Sequence, residues 1–222
     1  MSRKINLLIL IIFLASCKKE ISDDERISYP YTMEATEIIS SQAVRMYTDH
    51  GIVRDQGIIA DFLKRHGGLA QFKPQPRYQV EFLSKDSARI DLAPDIYKIE
   101  NLDSGRFIMR SDVQLLKNIY SSTALESTLI PYKLNRFNRN LRAIPQVDNY
   151  IKAIYKCELS YFTWFRNNQL VMPVITYKLN LYNRRGYYNG VMYGIWNLAF
   201  PSEIQSRDTL VFQELRVGFT KK

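Results

Sequence analysis

The chain reads as mainly β: an antiparallel barrel or sandwich of about eight to ten strands with one short helix packed on it. Three observations predict this class. Apolar and polar residues alternate with period two through most segments after residue 41. Polar or glycine-containing triplets separate those segments at hairpin spacing. One stretch alone clearly combines helical spacing with caps at both ends.

The first strand read from the pattern is 42–48 (QAVRMYT), turning at Asp49-His50-Gly51. The helix follows. Asp55 is placed as N-cap, and Ile58, Ile59, Phe62 and Leu63 are expected to form one apolar face. Lys64-Arg65-His66 crowd the last turn, and Gly67 supplies the left-handed position after it. At about 11 residues such a helix is too short to stand alone, so its stripe must pack on a sheet.

Two hairpins come next. Tyr78, Val80 and Phe82 alternate, turn at Ser84-Lys85-Asp86, and return as Ala88, Ile90 and Leu92. A three-residue loop opposes 82 to 88 and 80 to 90, landing both apolar sets on one face. A second turn at Asp103-Ser104-Gly105 brings Tyr97 and Ile99 against Phe107 and Met109. Residues 151–161 alternate as one strand and are expected to turn at Arg166-Asn167-Asn168 onto 171–179. A two-residue loop would oppose Leu159 to Thr176; a three-residue loop opposes Leu159 to Ile175 and Cys157 to Tyr177, which the period-2 rule favours. Pro173 lacks an N–H and marks an edge, a bulge or a strand start. Strands near 187–200, after Asn183-Arg184-Arg185-Gly186, and 209–219 complete the set. The strand number resembles that of lipocalin-like barrels, which implies an internal ligand site, although no Gly-x-Trp stands at the first strand.

The N-terminus has a different grammar. Leu7 to Ala15 is an unbroken apolar run behind Arg3 and Lys4. It is far below the roughly 20 residues that span a bilayer and matches a signal-peptide core. It ends in Leu14-Ala15-Ser16-Cys17, which resembles the lipobox of bacterial lipoproteins. That resemblance implies cleavage before Cys17, diacylglycerol on its thiol and an acylated new N-terminus. Lys18 after the cysteine resembles lipoproteins forwarded to the outer membrane, and Glu20, Asp23, Asp24 and Glu25 resemble the surface-export signals of Bacteroidota lipoproteins. The expected organisation is a signal peptide at 1–16, a lipidated cysteine and solvated tether at 17–30, and one β-rich domain at 31–222. Two or more acyl chains hold such a protein durably on a membrane. The expected location is the cell envelope at the outer membrane.

Net charge is +9, and +7 once Arg3 and Lys4 leave with the signal. This moderate excess favours anionic neighbours such as lipid headgroups or acidic glycans over nucleic acid, which an exported chain does not meet. With Cys17 lipidated, Cys157 is the one thiol left, and it falls on the apolar parity, where a free cysteine is an inert hydrophobe. The chain has two histidines, His50 and His66, and no Cys-x-x-Cys, His-x-x-x-His or His-Glu-x-x-His spacing. No metal site, cofactor or catalytic residue is expected from it.

What remains is a surface of rings and arginines. Arg136-Phe137-Asn138-Arg139 is one such stretch. Arg184, Arg185, Tyr187 and Tyr188, with Trp196 further along, are the candidate ligand-binding residues. Flat rings with polar tips and planar guanidinium forks suit sugars and anionic headgroups. Gly190 and Gly194 leave room in that strand for a backbone, a ring or a ligand. The function expected is a non-enzymatic binding or accessory domain whose partner is a glycan, a lipid or an envelope protein. The alternative is a glycan-directed envelope hydrolase using paired carboxylates.

Overall fold

The structure is a computed structural model that describes residues 28–91, 95–112, 114–118, 132–144, 153–182 and 186–222. In chain order come β1 (Tyr31–Ser41), β2 (Arg45–Thr48) and β3 (Gly51–Val53), then helix α1 (Gln56–Arg65). The strands β4 (Gln79–Ser84), β5 (Ser87–Ile90), β6 (Ile96–Asp103) and β7 (Arg106–Arg110) follow. After them lie β8 (Gln114–Asn118), β9 (Arg139–Ile144), β10 (Ala153–Glu158), β11 (Ser160–Arg166) and β12 (Gln169–Leu181). Last are β13 (Gly186–Tyr193), a short 3-10 helix (Phe200–Glu203) and β14 (Thr209–Lys221).

Eight strands close into an antiparallel barrel, ordered β12-β11-β7-β6-β5-β4-β1-β14 and shut by the pairing of β14 with β12. Closure removes the exposed edges that a sheet of this width would otherwise carry. The period-2 pattern decides which way the wall faces. Met33, Val80, Phe82, Met109, Met172 and Val217 point into one apolar core. Alternate residues such as Glu34, Glu81, Arg89 and Lys98 point outward. That charged outer wall is the inverse of a bilayer-spanning barrel, whose outside is apolar. No helix of the described residues is long and apolar enough to cross a membrane.

Beyond the barrel, β12 and β14 run on together and carry β13 on one side and β2 and β3 on the other. Both faces of this extension are covered. On the face continuous with the barrel interior, α1 sets Ile59 and Phe62 against Met46 and Val211. On the outer face, Leu134, Trp196 and Phe200 cover Ile175, Tyr177, Leu179 and Phe212. The segments 132–138 and 194–204 that bring them are tied to each other. Arg136 N–H donates to the Ile195 carbonyl and Asn197 N–H to that of Leu134, both at 2.8 Å. Asn135 Nδ2 also donates to the Ser160 carbonyl at 2.7 Å, fastening the cover to the barrel. The strands β8, β10 and β9 form a separate three-stranded sheet.

The helix has the expected caps. Asp55 Oδ1 accepts from Gly57 N–H at 2.7 Å and Ile58 N–H at 3.3 Å. Gly67 takes φ +79°, and Gly68 N–H bonds back to the Leu63 carbonyl at 2.8 Å, closing a Schellman turn. One residue of the expected stripe is misplaced: Ile58 is 51 % exposed. Ile59, Phe62 and Leu63 span an arc of about 100° on the helical wheel, and Ile58 lies about 40° beyond its edge.

The β4–β5 register is the expected one, Val80 to Ile90 and Phe82 to Ala88, with a bulge beside the turn. In the β6–β7 hairpin Ile99 faces Met109. The long hairpin differs from expectation. Its loop has two residues, with Arg166 opposite Gln169, and Asn167 and Asn168 both take positive φ (50° and 60°). That is the type I′ geometry which asparagine tolerates. The 151–161 segment is also not one strand, because β10 pairs with β8 and β9 while β11 turns away to β7. Residues 151 and 152 lie outside the described part. Cys157 therefore faces Gln114 across the sheet, not Tyr177. The expected pairing failed because β12 is buried on both faces from Leu170 to Leu179, so parity cannot choose its register. Pro173 sits in mid-strand, and its carbonyl accepts from Gly194 N–H. A residue's N–H and C=O leave an antiparallel strand on the same side. The missing N–H thus falls where β11 ends and β13 begins as neighbour of β12.

Cys157 is fully buried, and burial first, then Glu158, pushes its thiol up to about 11. The folded protein should therefore label slowly at Cys157 with a thiol reagent and rapidly once unfolded in denaturant, read by peptide mass. Equal rates in the two states would contradict this burial.

Candidate functional site

Among the described residues the outer wall carries a cleft. Four antiparallel registers align a row of outward residues across five strands. Arg106 on β7 faces Trp164 on β11, and Trp164 faces Val171 on β12. Two residues along, Pro173 faces Arg216 on β14, and Arg216 faces Ser40 on β1. Beside this row lie Phe162, Glu214 and Gln42, and Ile195 of the covering segment forms the far bank. All but the buried Val171 line a cleft of about 520 Å³. It exists where the cover over β12 and β14 stops at Ile195, leaving Trp164 partly exposed beside the buried Pro173.

Rings form its floor. Phe162 lies 5.6 Å from Trp164 and stacks on Phe137 at 5.4 Å. The Arg216 guanidinium sits 5.6 Å from the Trp164 ring centre, and Arg136 holds Phe137 in the same way at 5.9 Å. Polar groups form its rim. Arg106 Nε donates to Asp103 at 2.7 Å, and this pairing holds the Asp103 carboxyl below its usual range. Glu214 Oε1 accepts from Trp196 N–H at 3.2 Å, while its backbone carbonyl accepts from Gln42 N–H at 2.9 Å. The cleft thus offers an aromatic face, two guanidinium forks, one carboxylate in its lining and an amide, with its charges balanced locally.

A second polar cluster lies inside the barrel. Asp91, at φ 50°, accepts from Gln79 N–H and from the Tyr193 hydroxyl, both at 3.0 Å. Burial pushes its carboxyl above the usual carboxylate range, and Tyr97 and Tyr161 hydrogen-bond to one another nearby. These groups already partner each other, as buried polar groups must. Among the described residues no group of three His, Cys, Asp or Glu side chains could hold a metal.

The residues expected from sequence are dispersed. Tyr187 and Tyr188 project from opposite faces of β13. Tyr187 is 61 % exposed and stacks on His66 at 5.5 Å, while Tyr188 packs on the outer-face core. Trp196 is 2 % exposed and lies flat on Phe212 at 3.9 Å, so its indole is core packing. Arg184 and Arg185 lie outside the described residues. The two strand glycines have packing reasons. A Cβ on Gly190 would meet the Tyr177 hydroxyl at 2.8 Å, and one on Gly194 would meet Asn135 at 2.6 Å. Trp164, Phe162, Arg106, Arg216 and Glu214 were not anticipated. The available signal was parity, since Phe162 and Trp164 continue the side of the strand that carries Lys156, Glu158 and Ser160. Large rings on a polar face mark a binding surface. No known family model, curated protein or solved structure matches the chain.

Proposed function

We propose that the protein is a non-enzymatic glycan-binding module, held at the outer membrane of the cell envelope by lipid on Cys17. The observation that carries the binding reading is the Trp164 cleft. A sugar ring presents an apolar C–H face to an aromatic plane, while its hydroxyls take the guanidinium of Arg216 and the acceptor of Glu214, with the Asp103-paired Arg106 at the edge. The local charge balance fits a neutral or weakly acidic sugar better than a polyanion. A glycosidase would need two carboxylates facing one bond, and the lining holds Glu214 alone. The anchor reading rests on the Leu14-Ala15-Ser16-Cys17 motif and on the start of β1 at Tyr31, which leaves residues 18–30 between lipid and barrel.

Binding to a panel of neutral and acidic oligosaccharides tests this. Trp164→Ala should weaken the best binder by roughly 30-fold, as loss of a central aromatic anchor does. Tyr187→Ala, exposed on another face, should leave it unchanged. No binding in the panel, or equal binding by the Trp164 variant, would overturn the assignment.

A further inference from the structure

Five features of the chain meet at one rim of the barrel. They are the start of β1, the end of β14, and the β4–β5, β6–β7 and β11–β12 turns. Antiparallel order alone dictates this, and ring contacts agree. Tyr29 lies 5.5 Å from Tyr31, Tyr31 stacks on Phe82 at 4.9 Å, and Phe82 lies 6.0 Å from Phe165. Lys221 sits over the Tyr31 ring at 5.4 Å.

The surface of this rim is unlike the wall. Tyr29, Leu102 and Phe165 are exposed there, among the exposed cations Lys85, Arg166 and Lys221. Of the acids at its turns, Asp103 is paired to Arg106 and Asp86 is exposed. Apolar and aromatic side chains interleaved with Lys and Arg are what a bilayer surface accepts at headgroup depth. The rim is also where the anchor would hold the barrel. Eleven residue-to-residue steps lead from Cys17 to Ser28, and even fully extended they reach about 40 Å. The 13 residues of β12 alone run about 43 Å. The rim at which the chain enters the barrel is therefore the end next to the membrane.

We propose that this rim docks the barrel on an anionic lipid surface, with Tyr29, Leu102 and Phe165 at headgroup level and Lys85, Arg166 and Lys221 against the lipid phosphates. The orientation rests on the anchor reading; the affinity of the rim for lipid does not.

Hydrogen exchange tests it on the full protein bound to vesicles of phosphatidylethanolamine and phosphatidylglycerol. Amides of the turns at 85–86, 103–105 and 167–168 should exchange about tenfold more slowly on vesicles than in solution, and those of α1 should not change. A variant of exposed residues only, Lys85→Glu with Arg166→Glu and Lys221→Glu, should lose that protection while remaining in the vesicle fraction through its lipid. Unprotected turns in the anchored wild type, or equal protection of α1, would overturn the proposal. Intact mass reads the anchor separately. A wild type without acyl chains that still sediments with anionic vesicles, and stops doing so in the charge variant, would remove the anchor and support the rim. Neither acyl chains nor sedimentation would remove both.

Discussion

Trp196→Ala should cost about 3–5 kcal/mol of folding stability, read as a lower urea midpoint with an unchanged slope. The indole is buried and stacked on Phe212 at 3.9 Å, with Tyr47 at 5.9 Å in a similar plane and Phe200 edge-on at 5.9 Å. Alanine leaves a cavity that β12 and β14 cannot collapse into, because their other face is packed beneath α1 or inside the barrel. The loss should spread to the cleft. The backbone of residue 196 donates to Glu214 and bridges to Asn135, so a loosened cover frees the carboxylate at the cleft's edge. Trp196→Phe should cost much less, since it keeps a ring and removes an indole N–H that finds no partner among the described residues. A midpoint unmoved by the alanine change would mean that the cover does not contribute to the core.

The contrast between Trp196 and Trp164 shows where sequence reasoning reaches and where it stops. Strands with one wet face announce themselves. The β4–β5 pairing was legible to the residue, because Val80, Phe82, Ala88 and Ile90 are buried while Glu81 and Arg89 form an ion pair outside at 2.9 Å. The strand β12 announces nothing, since apolar residues line both its faces and a one-residue slip leaves its pattern unchanged. Its register is set instead by the left-handed pair Asn167 and Asn168. The strand β1 went unread. Two register shifts against β14, after Ala35 and after Ile38, and its exposed second half break the alternation that would have marked it. The site was hidden for another reason, because its residues come from five strands whose neighbours the sequence does not give. On a strand whose neighbours are unknown, Trp164 and Trp196 look alike; only the cover ending at Ile195 decides that one is core and the other floor.

Position along the wall links the two proposals. Trp164 precedes Arg166 of the rim by two residues, about 7 Å along the strand. A barrel docked by that rim would hold its cleft just above the headgroups, open sideways. A glycan attached to the membrane would meet Trp164 there without the protein having to tilt.

The helix offers the second large effect. Phe62→Ala should cost about 3–5 kcal/mol, because its ring is buried with Ile59 on the extension where Met46 and Val211 face the helix. It also packs on the His66 ring at 4.4 Å, which in turn meets Tyr187, so the truncation removes the base of a three-ring stack. Ile58→Ala is the matched control. Its side chain is half in water, and the change should stay within about 0.5 kcal/mol, the usual range for surface substitutions. Both can be measured by urea titration with tyrosine and tryptophan fluorescence and by circular dichroism. Equal costs for the two would put Ile58 in the core and rotate the helix from the orientation described. A negligible cost for Phe62→Ala would make α1 an appendage and leave the face of Val211 and Met46 without its cover. The single apolar arc of Ile59, Phe62 and Leu63, between caps that fix both ends, is why a large and asymmetric pair of costs is expected.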